Sequence, residues 1–396
     1  MAIYSTHDSA TKARRARRLS MNDIYWMKEA LSEASKAGWT THPNPMVGAV
    51  IVRDGKELGR GYHHCAGMPH AEVEALRNAK ENGFDDVSGA TLYVTMEPCN
   101  HYGRTPPCTN AIIDAKIARC VIGTRDSNQH VCGGGVERLQ NAGIPCTVGL
   151  CNDELRFLNR AFFTATRLNR PYITAKWAMS VDGKIATRTG HSKWITGDIA
   201  RRDVHEQRAL HDAIMVGTQT VIADDPQLNV RLDAPKRQPL RVIVDRQLRI
   251  PLSAKVFDTS TQKTVLFTCA SNAPFTPYEA KGVAVECVEL APNTQNCDNA
   301  APRLDLAQIF ARLVERYAIT TLYCEGGATL LGQLRDEDVV DSCHIYIAPK
   351  LIGGATARPA IAGLGAETMQ QAQTFHFEPP QILGNDIRLT AFIDHL

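Results

Sequence analysis

Long apolar runs are missing from this chain of 396 residues. None approaches the ~20 residues that a membrane-spanning helix needs. No apolar stretch near the amino terminus has the pattern of a secretory signal. A strong charge of one sign is missing too: 44 Lys and Arg stand against 42 Asp and Glu, a formal net charge of +2. The chain as a whole therefore carries no electrostatic bias toward nucleic acid or membrane. Cysteine is sparse for a stapled fold, twelve in all, and most sit singly in apolar runs, as do Cys120, Cys287 and Cys324. This excludes a disulfide scaffold and fits reduced thiols in a cytoplasmic protein. Internal duplication is absent. The remainder is ordinary globular composition, 44% hydrophobic and 22% charged, at a length suited to two domains.

One local excess stands out. Lys12, Arg14, Arg15, Arg17 and Arg18 make residues 1–20 a basic, polar segment. It reads as a solvated, poorly ordered tail, with polyanion binding as the alternative. Met21 begins an amphipathic pattern. Residues 22–37 read as a helix with Asn22 or Asp23 as its cap. Residues 47–52 form an apolar strand, Asp54-Gly55 a hairpin turn, and 58–62 the return strand. A helix opens around His70 and runs through Ala79. Strands follow at 91–95 and 118–123, with helices at 110–115 and 136–142. The alternation predicts an α/β fold class with two domains, the first over 21–166 being a three-layer αβα sandwich. Residues 151–170 read as one helix ending that domain. Pro171 opens the second α/β domain, 167–396. Its strands fall at 214–217, 240–245, 264–268, 321–325 and 343–348, with a helix at 306–317. Residues 344–348 suit a core strand or one that pairs across an interface. Residues 291–303 read as a surface loop.

The chemistry concentrates between residues 70 and 108. His70-Ala71-Glu72, Glu97-Pro98-Cys99 and Pro107-Cys108 supply one imidazole, two thiols and a free carboxylate. Imidazole and thiolate are zinc ligands. Three protein ligands leave a fourth position for water, the arrangement of a catalytic site. Zinc lowers the pKa of such a water to near neutrality. Glu72 suits the proton shuttle to a leaving ammonia. A helix amino terminus after each cysteine would favour thiolate. Nucleobase deaminases carry Pro-Cys-x-x-Cys, whereas eight residues separate Cys99 from Cys108 here. That longer loop suggests a specialised substrate.

At these residues the chain resembles a known family. His42-Pro43-Asn44-Pro45-x-Val47-Gly48, His70-Ala71-Glu72-Val73 and Glu97-Pro98-Cys99-x-His101-x-Gly103-Arg104-Thr105-Pro106-Pro107-Cys108 look like the bifunctional deaminase–reductases of riboflavin biosynthesis. The resemblance covers nearly all the chain from residue 22. It implies a zinc deaminase of cytidine-deaminase-like fold, with His70, Cys99 and Cys108 on Zn2+ and Glu72 catalytic. Asn44 would hydrogen-bond the pyrimidine. His63, His101 and Arg104 would contact the ribose phosphate. Asp126 and Asn128 fall in a substrate segment whose family prolines are replaced by Ser127 and Gln129. Asn100 stands where serine is expected.

In the second half, Tyr323-Cys324-Glu325-Gly326-Gly327-Ala328 reads as strand, glycine turn and helix. Such a junction can cradle phosphate, although it is not a dinucleotide fingerprint. Lys176 to Lys184, Ser192 to Thr196, Asp224-Asp225-Pro226-x-Leu228 and Glu325-Gly326-Gly327 resemble the reductase domain of the same enzymes. That domain is similar in fold to dihydrofolate reductase. The resemblance implies NADPH and hydride transfer to the sugar C1′. Ala178, Trp194, Thr220, Asp224, Arg246 and Gly327 would face NADPH, with Arg246 toward its 2′-phosphate. Ser192, Arg208, Leu228, Arg231 and Glu325 would hold the substrate. Lys176 and Asp224 are candidates for proton transfer. Asp182-Gly183 also reads as a plain hairpin turn.

The expected partner is a small-molecule pyrimidine ribotide, without nucleic acid or membrane, in a homo-oligomer. Two other readings compete. One is a nucleotide- or tRNA-editing deaminase with a degenerate second domain, supported by the basic tail. The other is a zinc-stabilised interaction protein, which Glu72 opposes, because a structural site closes its fourth position.

Overall fold

The computed structural model describes residues 21–102, 106–127, 134–233, 237–271, 273–292 and 302–393. The basic tail, Arg104, Asn128, Gln129 and most of the expected 291–303 loop lie outside the described residues. The chain divides into two compact units, one ending at Arg167 and one beginning at Leu168. No helix among the described residues is long and apolar enough to cross a membrane.

The first unit runs α1 (Met21–Ser35), β1 (Gly48–Arg53), β2 (Lys56–Tyr62), α2 (Ala71–Glu81), β3 (Thr91–Met96), α3 (Cys108–Asp114), β4 (Arg119–Thr124), α4 (Gly135–Asn141), β5 (Cys146–Val148), α5 (Asn152–Leu158) and α6 (Arg160–Leu168). Its five strands lie in the order β2-β1-β3-β4-β5, with β1 antiparallel to both neighbours and β3, β4 and β5 parallel. The turn at Asp54 and Gly55 has φ of 54° and 74°, the doubly left-handed geometry that Asp-Gly favours in hairpins. One sheet face packs α2, α3 and α4 through Ile51, Leu92, Ile112 and Leu139. The other packs α1 and α5 through Met27, Val50, Val121 and Leu155.

Two expectations change here. Asp23 does not cap α1. It lies within the helix, 4% exposed, accepting from the Tyr93 hydroxyl at 2.8 Å and from Arg119 at 2.9 and 3.1 Å. Residues 151–170 form two helices rather than one. The break falls at buried Asn159, whose amide bonds both the N–H and the C=O of Met46, at 2.7 and 2.9 Å. A capping asparagine and a tertiary anchor look alike in a helical pattern.

The approach of α2 to the sheet explains its sequence. Ala71, Ala75 and Ala79, at i, i+4 spacing, form its fully buried stripe. They meet glycines: a Cβ on Gly59 would stand 2.5 Å from Ala75 O, and one on Gly61 2.5 Å from Ala75 N. Side chains there would lever the helix off its strand. Gly61→Ala is expected to cost about 1–3 kcal/mol through overpacking. Because α2 carries Glu72 and follows His70, zinc retention should fall with it. Thermal unfolding and metal content check both.

The second unit contains β6 (Tyr172–Ser180), β7 (Lys184–Ala186), α7 (Asp198–Ala209), β8 (Ala213–Gly217), α8 (Thr218–Asp224), β9 (Leu240–Val244), β10 (Thr264–Thr268), α9 (Thr276–Glu279), β11 (Ala284–Cys287), α10 (Leu306–Tyr317), β12 (Thr321–Cys324), α11 (Ala328–Asp336), β13 (Ser342–Ala348), β14 (Arg358–Pro359), β15 (His376–Phe377), β16 (Gln381–Leu383) and β17 (Asp386–Phe392). The main sheet orders β11-β10-β9-β8-β12-β6-β13-β17-β15, with β16 also on β17. From β11 to β13 it is parallel, and β17 turns antiparallel. Residues 344–348 therefore form a core strand between β6 and β17. Asp182 does more than turn a hairpin: its carboxylate accepts from the Ser180 hydroxyl at 2.6 Å and from Gly353 N at 2.7 Å.

The two faces of this sheet differ. Ile173, Ala175, Leu322, Cys324 and Cys343 enter an apolar core with α10. The alternate positions Thr174, Lys176, Tyr323, His344 and Tyr346 are polar and buried or nearly so. Asp203 and Arg208 of α7 bond to residues of this polar layer.

Candidate active sites

His70 is the residue before α2, Cys99 follows β3, and Cys108 is the first residue of α3. Three separate elements thus deliver three ligand atoms that lie within 4.8 Å of one another. His70 Nδ1 stands 3.5 Å from Cys99 Sγ and 3.3 Å from Cys108 Sγ. Tetrahedral Zn–N and Zn–S bonds impose a nitrogen–sulfur separation of roughly 3.5 Å. Only Cys108 opens a helix. Cys99 instead accepts the Cys108 N–H at 3.3 Å, so the expected second helix terminus is replaced by a single backbone donor.

The electrostatics suit a cation. The Cys108 thiol hydrogen-bonds Cys99 and holds it well below the ordinary thiol range, whereas that contact and burial push Cys108 up. Two adjacent sulfurs cannot both ionise cheaply, and a divalent metal removes the conflict. Glu72, in the first turn of α2, is 3% exposed and its Oε2 has no hydrogen-bond partner. Burial pushes its carboxyl up. A desolvated carboxyl with one oxygen left unpartnered is costly, and such groups cluster at sites of proton transfer.

A cavity of about 380 Å³ opens beside these groups, lined by Asn44, His63, His70, Glu72, Cys99, His101 and Asp126. The described candidates of the first unit, except buried Cys108, therefore share one space. His63, the expected phosphate contact, lines this cavity and is tied into the fold around it. It is 2% exposed, with Nδ1 3.1 Å from the Pro69 carbonyl and Nε2 3.2 Å from Asn44 Nδ2. Burial lowers its pKa, which favours the neutral ring. The carbonyl requires a proton on Nδ1, which leaves Nε2 to accept from Asn44.

Sequence reasoning passed over several residues here. Glu97 Oε1 accepts from Val136 N at 3.1 Å. It thereby ties α4 to the strand that ends in the metal motif. Gly135 permits this approach, since a Cβ there would meet Pro98 O at 2.2 Å. Asn100 accepts from the Thr109 hydroxyl at 3.0 Å, bridging the Cys99 loop to the Cys108 helix. Ser127 bonds Thr166 at 2.7 Å. Apolar lining from Met68, Met96 and Phe162 carries no local signature.

In the second unit the candidates gather at the carboxyl ends of the parallel strands, where α/β sheets bind ligands. Gly217 ends β8 and Thr218 opens α8; Glu325 follows β12 and Gly327 precedes α11. A Cβ on Gly327 would stand 3.1 Å from Thr220 Oγ1, so the two expected cofactor residues are neighbours. Arg246 follows β9, and Trp194 is 65% exposed with Arg201 4.5 Å above its ring. Asp224 is exposed at the end of α8, Ser192 lies in the segment before α7, and Ala178 is on β6. Leu228 is buried at φ 53°.

Lys176, Glu325 and Arg208 form a buried trio. Arg208 grips Glu325 through Nε at 2.5 Å and Nη2 at 3.0 Å, and Lys176 reaches it at 3.5 Å. Arg208 also donates to Asn229 O at 3.0 Å. These contacts engage the guanidinium expected to hold the substrate. Arg231 stays exposed, donating to Asn229 Oδ1 at 2.7 Å. A second cavity of about 530 Å³, lined by Asp212, Gln238, Lys263 and Arg316, involves none of these candidates.

Two family models match. Residues 171–383 match the RibD C-terminal domain, and residues 20–124 match the cytidine and deoxycytidylate deaminase zinc-binding region. A riboflavin biosynthesis protein RibD of Aquifex aeolicus is 44% identical over 365 residues, covering 92% of this chain and 97% of the relative. The chain belongs to the RibD family. The Escherichia coli RibD is 39% identical over 381 residues, covering 93% and 99%. The crystal form 1 of Acinetobacter baumannii RibD superposes with a TM-score of 0.81 at 38% identity, covering 94% of this chain and 99% of that one. A Thermotoga maritima structure, described as a diaminohydroxyphosphoribosylaminopyrimidine deaminase and 5-amino-6-(5-phosphoribosylamino)uracil reductase, gives 0.78 at 34% identity over the same shares. RibD-family membership settles the fold as two α/β domains, one deaminase-like and one reductase-like.

Proposed function

We propose that this chain is a bifunctional enzyme of riboflavin biosynthesis. Its first unit deaminates 2,5-diamino-6-(5-phosphoribosylamino)pyrimidin-4(3H)-one, and its second reduces the product's ribosyl chain with NADPH to give 5-amino-6-(5-phosphoribitylamino)uracil. The observation that carries the reading is the convergence of His70, Cys99 and Cys108 beside the desolvated Glu72, whose Oε2 has no hydrogen-bond partner. His70, Cys99 and Cys108 would hold Zn2+, which when bound lowers the pKa of water in its open position to near neutrality. Glu72 takes a proton from that water and returns it to the departing amino group, which leaves as ammonia. Asn44, oriented by His63, accepts from the pyrimidine edge through Oδ1. His101 and Arg104 hold the ribose phosphate, and Asp126 and Asn128 contact the substrate beside it.

In the second unit, NADPH when bound would supply the hydride for C1′. Lys176 gives a proton to the ring oxygen that is freed as the C1′–O bond breaks. Glu325 and Leu228 position the sugar, Arg231 meets its phosphate and Ser192 assists. Ala178, Trp194, Thr220, Asp224 and Gly327 line the cofactor, and Arg246 suits a 2′-phosphate, which favours NADPH over NADH. A cytoplasmic setting accords with the free thiols of the described cysteines. A homo-oligomer belongs to the proposal, for which exposed Phe377 and Ile382 on the outer strands offer apolar surface.

The test is a coupled assay with the full chain, Zn2+ and the diaminopyrimidine ribotide. Ammonia should appear without NADPH, and NADPH oxidation should require prior deamination. Absence of ammonia release sinks the reading; ammonia without NADPH oxidation sinks its second half.

A further inference from the structure

Two cations share one carboxylate in the buried trio. Arg208 takes both oxygens of Glu325 at 2.5 and 3.0 Å, and Lys176 is left at 3.5 Å. The ammonium is thus held loosely by its only acidic partner in the trio, with its side chain 16% exposed. A second support comes from β13. Lys176 Nζ lies 5.6 Å from the centroid of the Tyr346 ring, within the range in which an aromatic face attracts a cation. That ring is fully buried and fixed. Its hydroxyl donates to Asp203 Oδ2 at 2.6 Å, and Arg388 of β17 clamps the Asp203 carboxylate at 2.6 and 2.7 Å. A phenol donating to a carboxylate has a more electron-rich ring, and such chains of hydrogen bonds reinforce one another.

We propose that Tyr346 is a positioning residue for Lys176: its ring is the seat of the ammonium, and Asp203 and Arg388 hold that seat in place. The inference rests on the proposed role of Lys176 as proton donor. The ionisable groups around Lys176 are Glu325 after β12, Tyr323 on β12, Arg208 and Asp203 on α7, His344 and Tyr346 on β13, and Arg388 on β17. Burial lowers the Lys176 pKa and raises those of Tyr323 and Tyr346. The tyrosines therefore remain phenols while the lysine titrates. Lys176 works protonated, so activity falls as pH rises through its pKa. Loss of the aromatic seat removes support from the charged form alone and moves that fall to lower pH.

The experiment measures kcat for NADPH oxidation against pH, using the full chain and the deaminated ribotide. Tyr346→Leu should shift the alkaline limb down by about one pH unit, a tenfold loss at fixed alkaline pH. Tyr346→Phe keeps the ring and its volume but frees it from Asp203, and should shift the limb less, in the same direction. Lys176→Arg should abolish the limb together with most of the turnover, because a guanidinium does not release its proton in this pH range. Deamination by the same preparations and circular dichroism report folding. Limbs of both Tyr346 variants that coincide with wild type overturn the proposal, as does a limb that survives Lys176→Arg. If the leucine variant does not fold, the phenylalanine variant decides alone. Failure of the underlying reading looks different: wild type would oxidise no NADPH at any pH.

Discussion

Glu72→Ala should keep its zinc and lose deamination by about 10²–10⁴-fold, the usual contribution of a positioned acid–base group. The expectation follows from the division of labour around the cavity. His70 Nδ1 already stands 3.5 and 3.3 Å from the two sulfurs, near the separation that shared zinc ligation imposes, so the metal does not need the carboxylate. Glu72 contributes a proton acceptor where water and amine would meet. Its stability effect should run opposite to its activity effect. The side chain is 3% exposed with Oε2 unpartnered, and burial raises its carboxyl. Such a group destabilises the fold that carries it. The alanine variant should therefore melt at or above the wild-type temperature, with NADPH oxidation of supplied deaminated substrate intact. Metal content, ammonia release and thermal unfolding measured together check all three. Zinc lost along with activity would show that ligand and shuttle were wrongly divided.

Periodicity and motif spacing reveal different amounts of the two units. Strands such as 264–268 and the helix at 306–317 are legible because continuous apolar runs and 3.6-residue spacing report burial directly. The zinc site is legible because its chemistry is packed into short motifs. Asp23 and Asn159 are not: a polar residue near a helix end reads as a cap, and one inside a helical pattern reads as solvated surface, unless its distant partner is known. His63 illustrates a finer limit. Its residue type permits a cation for phosphate, whereas burial favours the neutral ring and the Pro69 carbonyl draws the proton to Nδ1, leaving Nε2 toward Asn44. The polar layer under α7 is the largest omission. Lys176, Tyr323 and Tyr346 come from three strands, with Asp203 and Arg208 on the covering helix. Alternation along any one strand says that Lys176 or Tyr346 faces away from Ile173 and Ile345. It cannot say that these polar positions meet one another.

Glu325→Gln should nearly abolish NADPH oxidation while leaving deamination unchanged. The substitution keeps the shape of the side chain and removes the one negative charge between Arg208 and Lys176. Removing a single partner from a buried ion pair leaves uncompensated charge and typically costs about 3–5 kcal/mol. The two cations, no longer drawn to a common carboxylate, should separate. Misplacement of reacting groups by even ~1 Å can cost ~10²-fold in rate. The pH dependence of stability should change as well. Burial would raise the Glu325 carboxyl, yet Arg208 and then Lys176 overcome it and hold it down to about 2, from an ordinary value of 4.5. A depressed carboxyl stabilises the fold fully above its unfolded value and loses that contribution as pH falls toward its folded one. Wild type should thus lose stability in the second unit between about pH 4.5 and pH 2. Glu325→Gln, neutral throughout, should start lower and lack that part of the acid dependence. Thermal unfolding followed from pH 7 to pH 3, with deamination reporting the first unit, measures this. A variant whose stability falls with acid as steeply as wild type, or that still turns over NADPH at the wild-type rate, would mean that Glu325 does not hold the two cations together.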